Sequence, residues 1–364
     1  MPSFGPGSLF PELASVTINF AAASVGRASF GTCMVIADDY PASTRTATYS
    51  SAQEVEAALA ASEITSALST KLKAMLAQTP SPDKVKLGKR DTSGTPETYA
   101  AAIQAIIAAD SDWYALVVDS RTDVDIQAAI AEIQTQEASG NFYLCVGQSS
   151  SADWLTSGKP SGYLSEERGI VLYHSSDTEP GAECWAAKVL AFDADETSAP
   201  WVYQSLASVA AYATALTTAQ GDFVDANFGN RLGNFGTSYP AVTFKGFNLA
   251  GRPVDHVLTA DLIRFRSSER VADMVVSLAA KGIKLTVDTE GQGAIEGELQ
   301  GLGEVLINAG HIDAGEWEIG PQTITAADRT AQRLRFINNA TVENPLITAA
   351  MTFNLSTSPI TGAA

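Results

Sequence analysis

The sequence predicts an α/β protein: a mixed or mostly parallel sheet covered by helices, with an extended β arm at each end. Three observations carry this. Strand and helix patterns alternate at least three times between residues 30 and 192. Both ends of the chain carry a strand of alternating polarity with almost no charge. The 364 residues are 45% hydrophobic and 18% charged, which is enough to bury a sizeable core and excludes a mostly disordered chain. At roughly 150 residues per domain, the length suggests about two domains or one large one with appendages.

The elements follow in order. Residues 1–26 hold Glu12 as their one ionisable side chain. In Ser15-Val16-Thr17-Ile18-Asn19-Phe20, the residues Val16, Ile18 and Phe20 share one face, so a strand over 15–20 is expected on an N-terminal arm. Phe30–Ala37 (FGTCMVIA) reads as a buried strand. Residues 51–77 predict two helices broken near Ser62 and stopped by Pro80 and Pro82. Lys84–Gly88 is a short strand, Pro96–Ala109 a helix, Trp113–Val118 a strand and 123–138 a helix with Ile126, Ile130 and Ile133 in register. Phe142–Val146 and Gly169–Tyr173 are strands, and Ala182–Phe192 is a helix. This α/β core region spans 27–200.

A second core region is expected over 201–337. Residues 203–217 are alanine-rich and predict a helix; 221–251 read as loops with short strands. Residues 259–280 predict a long helix closed by Gly282, 283–287 a short strand, and 293–309 another helix. Trp317–Ile319 and Gln322–Ile324 look like strand pieces, and Thr325–Asp328 resembles a capping box with Asp for the usual Glu. The C-terminal arm, 338–364, ends in a strand over 350–356, with Met351, Phe353 and Leu355 on one face. Ala21–Gly26 and Asn338–Asn344 are the expected hinges.

A lone strand leaves its edge amides and one apolar face without partners. Burying three large side chains is worth about 1.5–3 kcal/mol each. Two pairings answer this. The arms fold back within their own subunit, or they are donated to neighbouring copies through Val16, Ile18, Phe20, Met351, Phe353 and Leu355.

Forty-one acids against 23 bases give a formal charge of −18. That sign disfavours nucleic acid and anionic membrane surfaces as partners. No run approaches the ~20 apolar residues of a membrane span. The first residues lack a basic and then apolar leader, so synthesis in the cytoplasm is expected. Cys33, Cys145 and Cys184 have neither disulfide nor zinc spacing; the first two sit in apolar runs as small hydrophobes.

Enzymatic chemistry finds little purchase. Gly291-x-Gly293-x-x-x-Gly297 misses the dinucleotide spacing and reads as a helix-start turn with close packing. There is no phosphate-binding GxxxxGK[ST] loop. His174, near Asp177 and Cys184, is a strand-end histidine or, less simply, half of a Cys–His pair; His256 and His311 are far away in sequence. Asp38-Asp39 and Asp193, Asp195 and Glu196 read as solvated element ends or a cation site. Arg264, Arg266 and Arg270 form one basic cluster, and Arg329, Arg333 and Arg335 another. Each is explained by local ion pairs, such as Arg266 with Glu269 or Asp261, or by docking to an acidic surface.

The ordered blocks resemble the tail sheath proteins of contractile bacteriophages. "SVTINFAAASVGRASFGTCMVIADDYP" followed by "RTATYSSAQEVEAAL" is similar to the family's opening. "KLKAMLAQTPSPDKVKLGKR", "ADSDWYALVVDSRT" and "WEIGPQTITAADRTAQRLRFINNATVENPLITAAMTFNLST" resemble its later blocks in sequence order. Two features depart from the pattern: Lys89 runs almost directly into the next helix, without the β-rich insertion common in the family, and Glu343-Asn344-Pro345-Leu346 stands where a "GAIH" is usual.

The resemblance implies a non-enzymatic structural subunit, without cofactor, that polymerises as stacked rings around a tail tube. Each subunit's arms would complete a small sheet on adjacent subunits, and contraction would drive the tube through a host envelope. It implies as partners other copies of itself, the tube protein, and baseplate and tail terminator proteins. It places the protein in the virion tail, assembled in the bacterial cytoplasm. Helices of the second region would lie near the tube, with Arg264, Arg266, Arg270, Arg329 and Arg333 as contact candidates. The alternatives are a small-molecule-binding α/β enzyme with an unrecognised site, and the sheath of a non-phage contractile injection system.

Overall fold

The computed structural model describes residues 30–342 except 39, 157, 211, 213, 214, 236–238, 328–333 and 335. The expected strands at 15–20 and 350–356, the hinge at Ala21–Gly26, and Arg329, Arg333 and Arg335 lie outside the described residues.

Short strands made of unbroken apolar runs build the sheet. β1 (Cys33–Ala37) is buried along its whole length. β2 (Thr46–Tyr49) leads into α1 (Ala52–Ala60) and α2 (Ser66–Leu76), whose first turns are capped by the Ser51 and Thr65 side chains. The expected break between them is real: Ser62 has φ 58°. Next come β3 (Val85–Lys89), α3 (Tyr99–Ala109), β4 (Ala115–Val118), α4 (Asp123–Ala138), β5 (Leu144–Ser149) and the single turn α5 (Asp153–Thr156). β6 (Gly169–Tyr173) and α6 (Gly181–Leu190) follow.

The expected helix over 203–217 is absent. Tyr203 and Ser208 have φ near +59°. The Tyr203 and Leu206 N–H groups donate to Thr243 and Ala241 at 2.8 Å each. The Gln78 side chain holds both backbone groups of Ala207. Alanine's helix propensity, a few tenths of a kcal/mol per residue, yields to these long-range bonds. The helix lies later, as α7 (Thr218–Ala226), opened by a full capping box between Thr217 and Gln220.

β7 (Asn230–Phe235) and β8 (Tyr239–Phe244) complete a sheet of order β2-β3-β1-β4-β5-β6-β7-β8. Strands from β3 to β7 are parallel; β2 and β8 run antiparallel at the two edges. Alternation along each strand splits the core. Val35, Val117 and Leu172 face α2, α6 and α8, whereas Ile36, Val118 and Val171 face α3 and α4. Burial on both faces is why these strands read as continuous apolar runs.

α8 (Val254–Ala280) starts five residues earlier than the periodicity suggests, with Pro253 at its N-cap. Gly282 closes it at φ 72°: Gly282 N–H donates to Ala279 O and Ile283 N–H to Leu278 O. The expected strand at 283–287 is not formed; Ile283 is exposed and the segment links two helices. α9 (Thr289–Asn308) opens four residues earlier than expected because the Asp288 carboxylate caps Gly291 N–H. β9 (Ile312–Pro321) and β10 (Phe336–Val342) form a separate antiparallel pair. β9 joins Trp317–Ile319 into a longer strand and ends before Gln322–Ile324, correcting the second strand piece. The expected hinge at Asn338–Asn344 is corrected for 338–342, which are strand. Among the described residues no helix is long and apolar enough to cross a membrane.

Candidate assembly surface

In open parallel sheets, ligands sit beyond the carboxyl ends of the strands where the strand order reverses. Here that point lies between β1, which leads on to β3 on one side, and β4 on the other. The side chains gathered there are bound to one another. Asp38 accepts from Arg90 at 2.9 Å, and Asp119 accepts from Lys71 at 2.5 Å. Burial raises the Asp38 pKa, with the Arg90 guanidinium partly opposing it. Arg121 grips the fully buried Glu183 carboxylate with bonds of 2.7 and 3.0 Å. Opposed charges so committed make a rigid seam rather than a receptive cleft.

The other enzymatic features are structural as well. The His174 ring bonds the backbone of Ser176 and Ala210. All three cysteines are free and buried, and burial pushes the Cys33 thiol up to about 12. In the glycine run, a Cβ on Gly291 would stand 2.0 Å from Thr286 O, and one on Gly303 would stand 2.2 Å from the Trp317 ring. Those are the tight turn and the close packing that the spacing suggested.

The basic cluster on α8 divides. Arg266 holds Asp195 through two bonds, of 2.7 and 2.6 Å, and Glu269 at 2.5 Å, which fits the local-pair reading. Arg264 lies over the Phe142 ring and 3.7 Å from Glu137. Arg270, half-buried, has no ion-pair partner among the described residues.

The β9–β10 pair stands apart from the large sheet. Its register runs from Phe336 opposite Pro321 to Val342 opposite Ile312. Trp317 seats it against Gly303 of α9, and Phe336 packs with Val271, Ile295 and Leu299. Among the described residues each of the two strands pairs with the other alone. Sequence reading found fragments of β9 but not its pairing with β10. Its signal is weak because only Ile312 and Trp317 of the ten residues are buried.

No protein-family model and no curated protein sequence matches the chain. Solved structures do. The contracted helical sheath of the anti-feeding prophage superposes with a TM-score of 0.68 at 11% identity, over 98% of this chain and 100% of that one. The contracted PVC sheath complex, from an extracellular contractile injection system, gives 0.63 at 13% identity, over 98% and 99%. The sheath tail protein Lin1278 from Listeria innocua gives 0.58 at 9% identity, over 86% and 94%. The expected resemblance therefore holds in three dimensions: along nearly its whole length, this chain has the fold of contractile tail sheath proteins.

Proposed function

We propose that the protein is the repeating subunit of a contractile sheath. It polymerises around a rigid tube, is nucleated at a baseplate, and shortens to drive the tube through a target envelope. The observation that carries this reading is the fold match over 98% of the chain. The β9–β10 pair is consistent with it: it is a small sheet separate from the large one, and the sequence carries an uncharged segment of strand-like alternation near each end. Strand donation through Val16, Ile18 and Phe20 at one end, and Met351, Phe353 and Leu355 at the other, would link rigid bodies by backbone bonds. Such links survive rotation of one body against the next. The work of contraction then comes from small differences in contact energy repeated over many copies, with no nucleotide hydrolysed. Arg270, Arg329 and Arg333 are the cations proposed to meet the tube or a neighbour.

The reading covers a phage tail and an extracellular injection device alike; capsid genes beside its own would mark the former. Electron microscopy of the purified protein tests the common claim. Rings and tubes are expected, and a closed low-order oligomer would overturn it.

A further inference from the structure

We propose that one water molecule is built into the subunit between α6 and α8, held by the Asp255 carboxyl group together with the Thr197 and Ser198 hydroxyls. A cavity of about 10 Å³ lies there, walled on its apolar sides by Phe30, Leu258 and the end of α6. That is the room a single water needs. Asp255, Thr197, Ser198 and His311 supply the polar lining. This site is independent of the sheath reading.

The bonding capacity of these groups selects the occupant. His311 is already committed: its Nε2–H donates to Ala194 O at 2.7 Å, so the Nδ1 of the neutral ring accepts the Thr259 hydroxyl at 3.0 Å. Asp255 is 6% exposed, and its Oδ1 accepts the Trp201 N–H at 3.1 Å. Its Oδ2 is buried and bonds no group among the described residues. A buried carboxyl oxygen in native proteins has a partner. No Lys or Arg lines the cavity to supply one. The Thr197 and Ser198 hydroxyls likewise have no hydrogen-bond partner among the described residues. Their loop is fixed through its backbone, Thr197 N–H on Asp193 O at 3.0 Å and Ser198 N–H on Ala309 O at 2.8 Å. A water gives two protons and accepts two. It can therefore serve Oδ2 in either protonation state and both hydroxyls at once, the three partners typical of an internal water. Calcium or magnesium asks for about six oxygens, more than these three side chains offer. Phe30, Leu190, Phe192 and Ala194 also bound a larger recess, so the water adjoins an opening to solvent and is the route by which the buried carboxyl exchanges its proton.

Oxygen-17 magnetic relaxation dispersion counts the long-lived waters of a protein in solution. The full chain is compared with Asp255→Leu and with Thr197→Val plus Ser198→Ala. Each variant should count one long-lived water fewer than the parent. Thr197 and Ser198 are only half-buried, so their variant decides the count if Asp255→Leu does not fold. Urea unfolding gives a second readout. Removing both hydroxyls should raise the unfolding constant about tenfold in the parent, the ratio for one net hydrogen bond of about 1.4 kcal/mol. In the Asp255→Leu background the same change should matter less than about twofold, because the water that couples the groups is gone. Equal water counts in parent and hydroxyl variant would overturn the proposal, as would additive effects on unfolding. A parent whose stability changes when choline replaces sodium at fixed ionic strength would also overturn it, since a cation would then be the occupant.

Discussion

Arg168, placed just before β6, takes hold of Asp261 on α8 with both terminal guanidinium nitrogens, the Nη2 bond measuring 2.9 Å. The Tyr114 hydroxyl donates to the same carboxylate at 2.8 Å, and Arg168 also reaches Glu137 at 2.9 Å. Asp261 is fully buried and Arg168 is 3% exposed. The network ties the long helix of the second region to the amino edge of the sheet. Arg168→Ala leaves Asp261 buried without its counter-charge and should cost about 3–5 kcal/mol in urea unfolding. A loss below about 1 kcal/mol would show that the pair is not what holds α8.

Asp255 predicts an unusual pH dependence. It sits in the first turn of α8, 6% exposed, with Oδ1 accepting the Trp201 N–H at 3.1 Å. Burial pushes its pKa up to about 7, against the pull of backbone N–H groups. An unfolded Asp titrates near 3.9. Between about pH 4 and pH 7 the folded chain therefore keeps a proton that the unfolded chain has released. This group's contribution falls as pH rises through that window and stays at its lowest above it. Asp255→Asn should flatten that slope and raise stability at pH 8 by an amount on the order of 3 kcal/mol. Thermal melts of both proteins from pH 4 to pH 8 check this; parallel curves would refute it.

Two glycines on α9 make a matched pair of tests. A Cβ on Gly303 would lie within 2.5 Å of three Trp317 ring atoms, whereas one on Gly297 meets nothing within 4 Å. Gly297→Ala should stabilise the folded subunit by about 1 kcal/mol through helix propensity alone. Gly303→Ala gains the same propensity but overpacks the seat of β9, which costs about 1–3 kcal/mol, so it should give no gain or a net loss. It should also shift the fluorescence of Trp317, which is nearly buried. Equal gains from both substitutions would mean that the close packing of Trp317 is not rigid.

What the residues disclosed follows from where the signal sits. β1, β4, β5 and β6 are buried on both faces, and their unbroken apolar runs stand out against polar loops. α4 was legible to the residue because isoleucines repeat at helical spacing between clear turns. Residues 203–217 misled because alanine content speaks only of local preference, while bonds to Ala241, Thr243 and Gln78 decide that segment. The true start of α7 was written in Thr217 and Gln220, a capping signal in an otherwise polar stretch. The β9–β10 pair was the hardest part to read. β9 carries Ala314, Gly315 and Glu316 in its middle, which no strand propensity favours. Its pairing with β10 depends on the seat that Gly303 gives Trp317, a relation between residues fourteen positions apart.

Charge at the second basic cluster offers a test of docking. Residues 289–321 contain seven acids and no base, and Arg329, Arg333 and Arg335 follow closely. If these arginines act only in contacts with a tube or a neighbour, Arg329→Glu with Arg333→Glu should leave the melting temperature within a few degrees of the parent. Assembly on tubes, measured by co-sedimentation, should fall sharply, and the parent's assembly should weaken with salt. Normal assembly of the charge-reversed variant would remove these residues from the contact.

The C-terminal arm gives the most direct test of strand donation. β10 ends at Val342, opposite Ile312, and 22 residues follow it in the sequence. The last nineteen carry no charged side chain and include the alternating Met351, Phe353 and Leu355. Terminal strands without charged gatekeepers are hazardous on a free monomer unless pairing is their purpose. Deleting 346–364 should leave the melting temperature of the body nearly unchanged, because among the described residues the buried side chains on both faces of the large sheet lie within 30–317. The same deletion should abolish tubes, since a chain of bodies linked by donated strands cannot propagate once one link is missing. Sedimentation and electron microscopy separate the outcomes. Tubes of normal length from the truncated protein would exclude donation by this arm. A truncated protein that melts far below the parent would show instead that the arm packs on its own subunit.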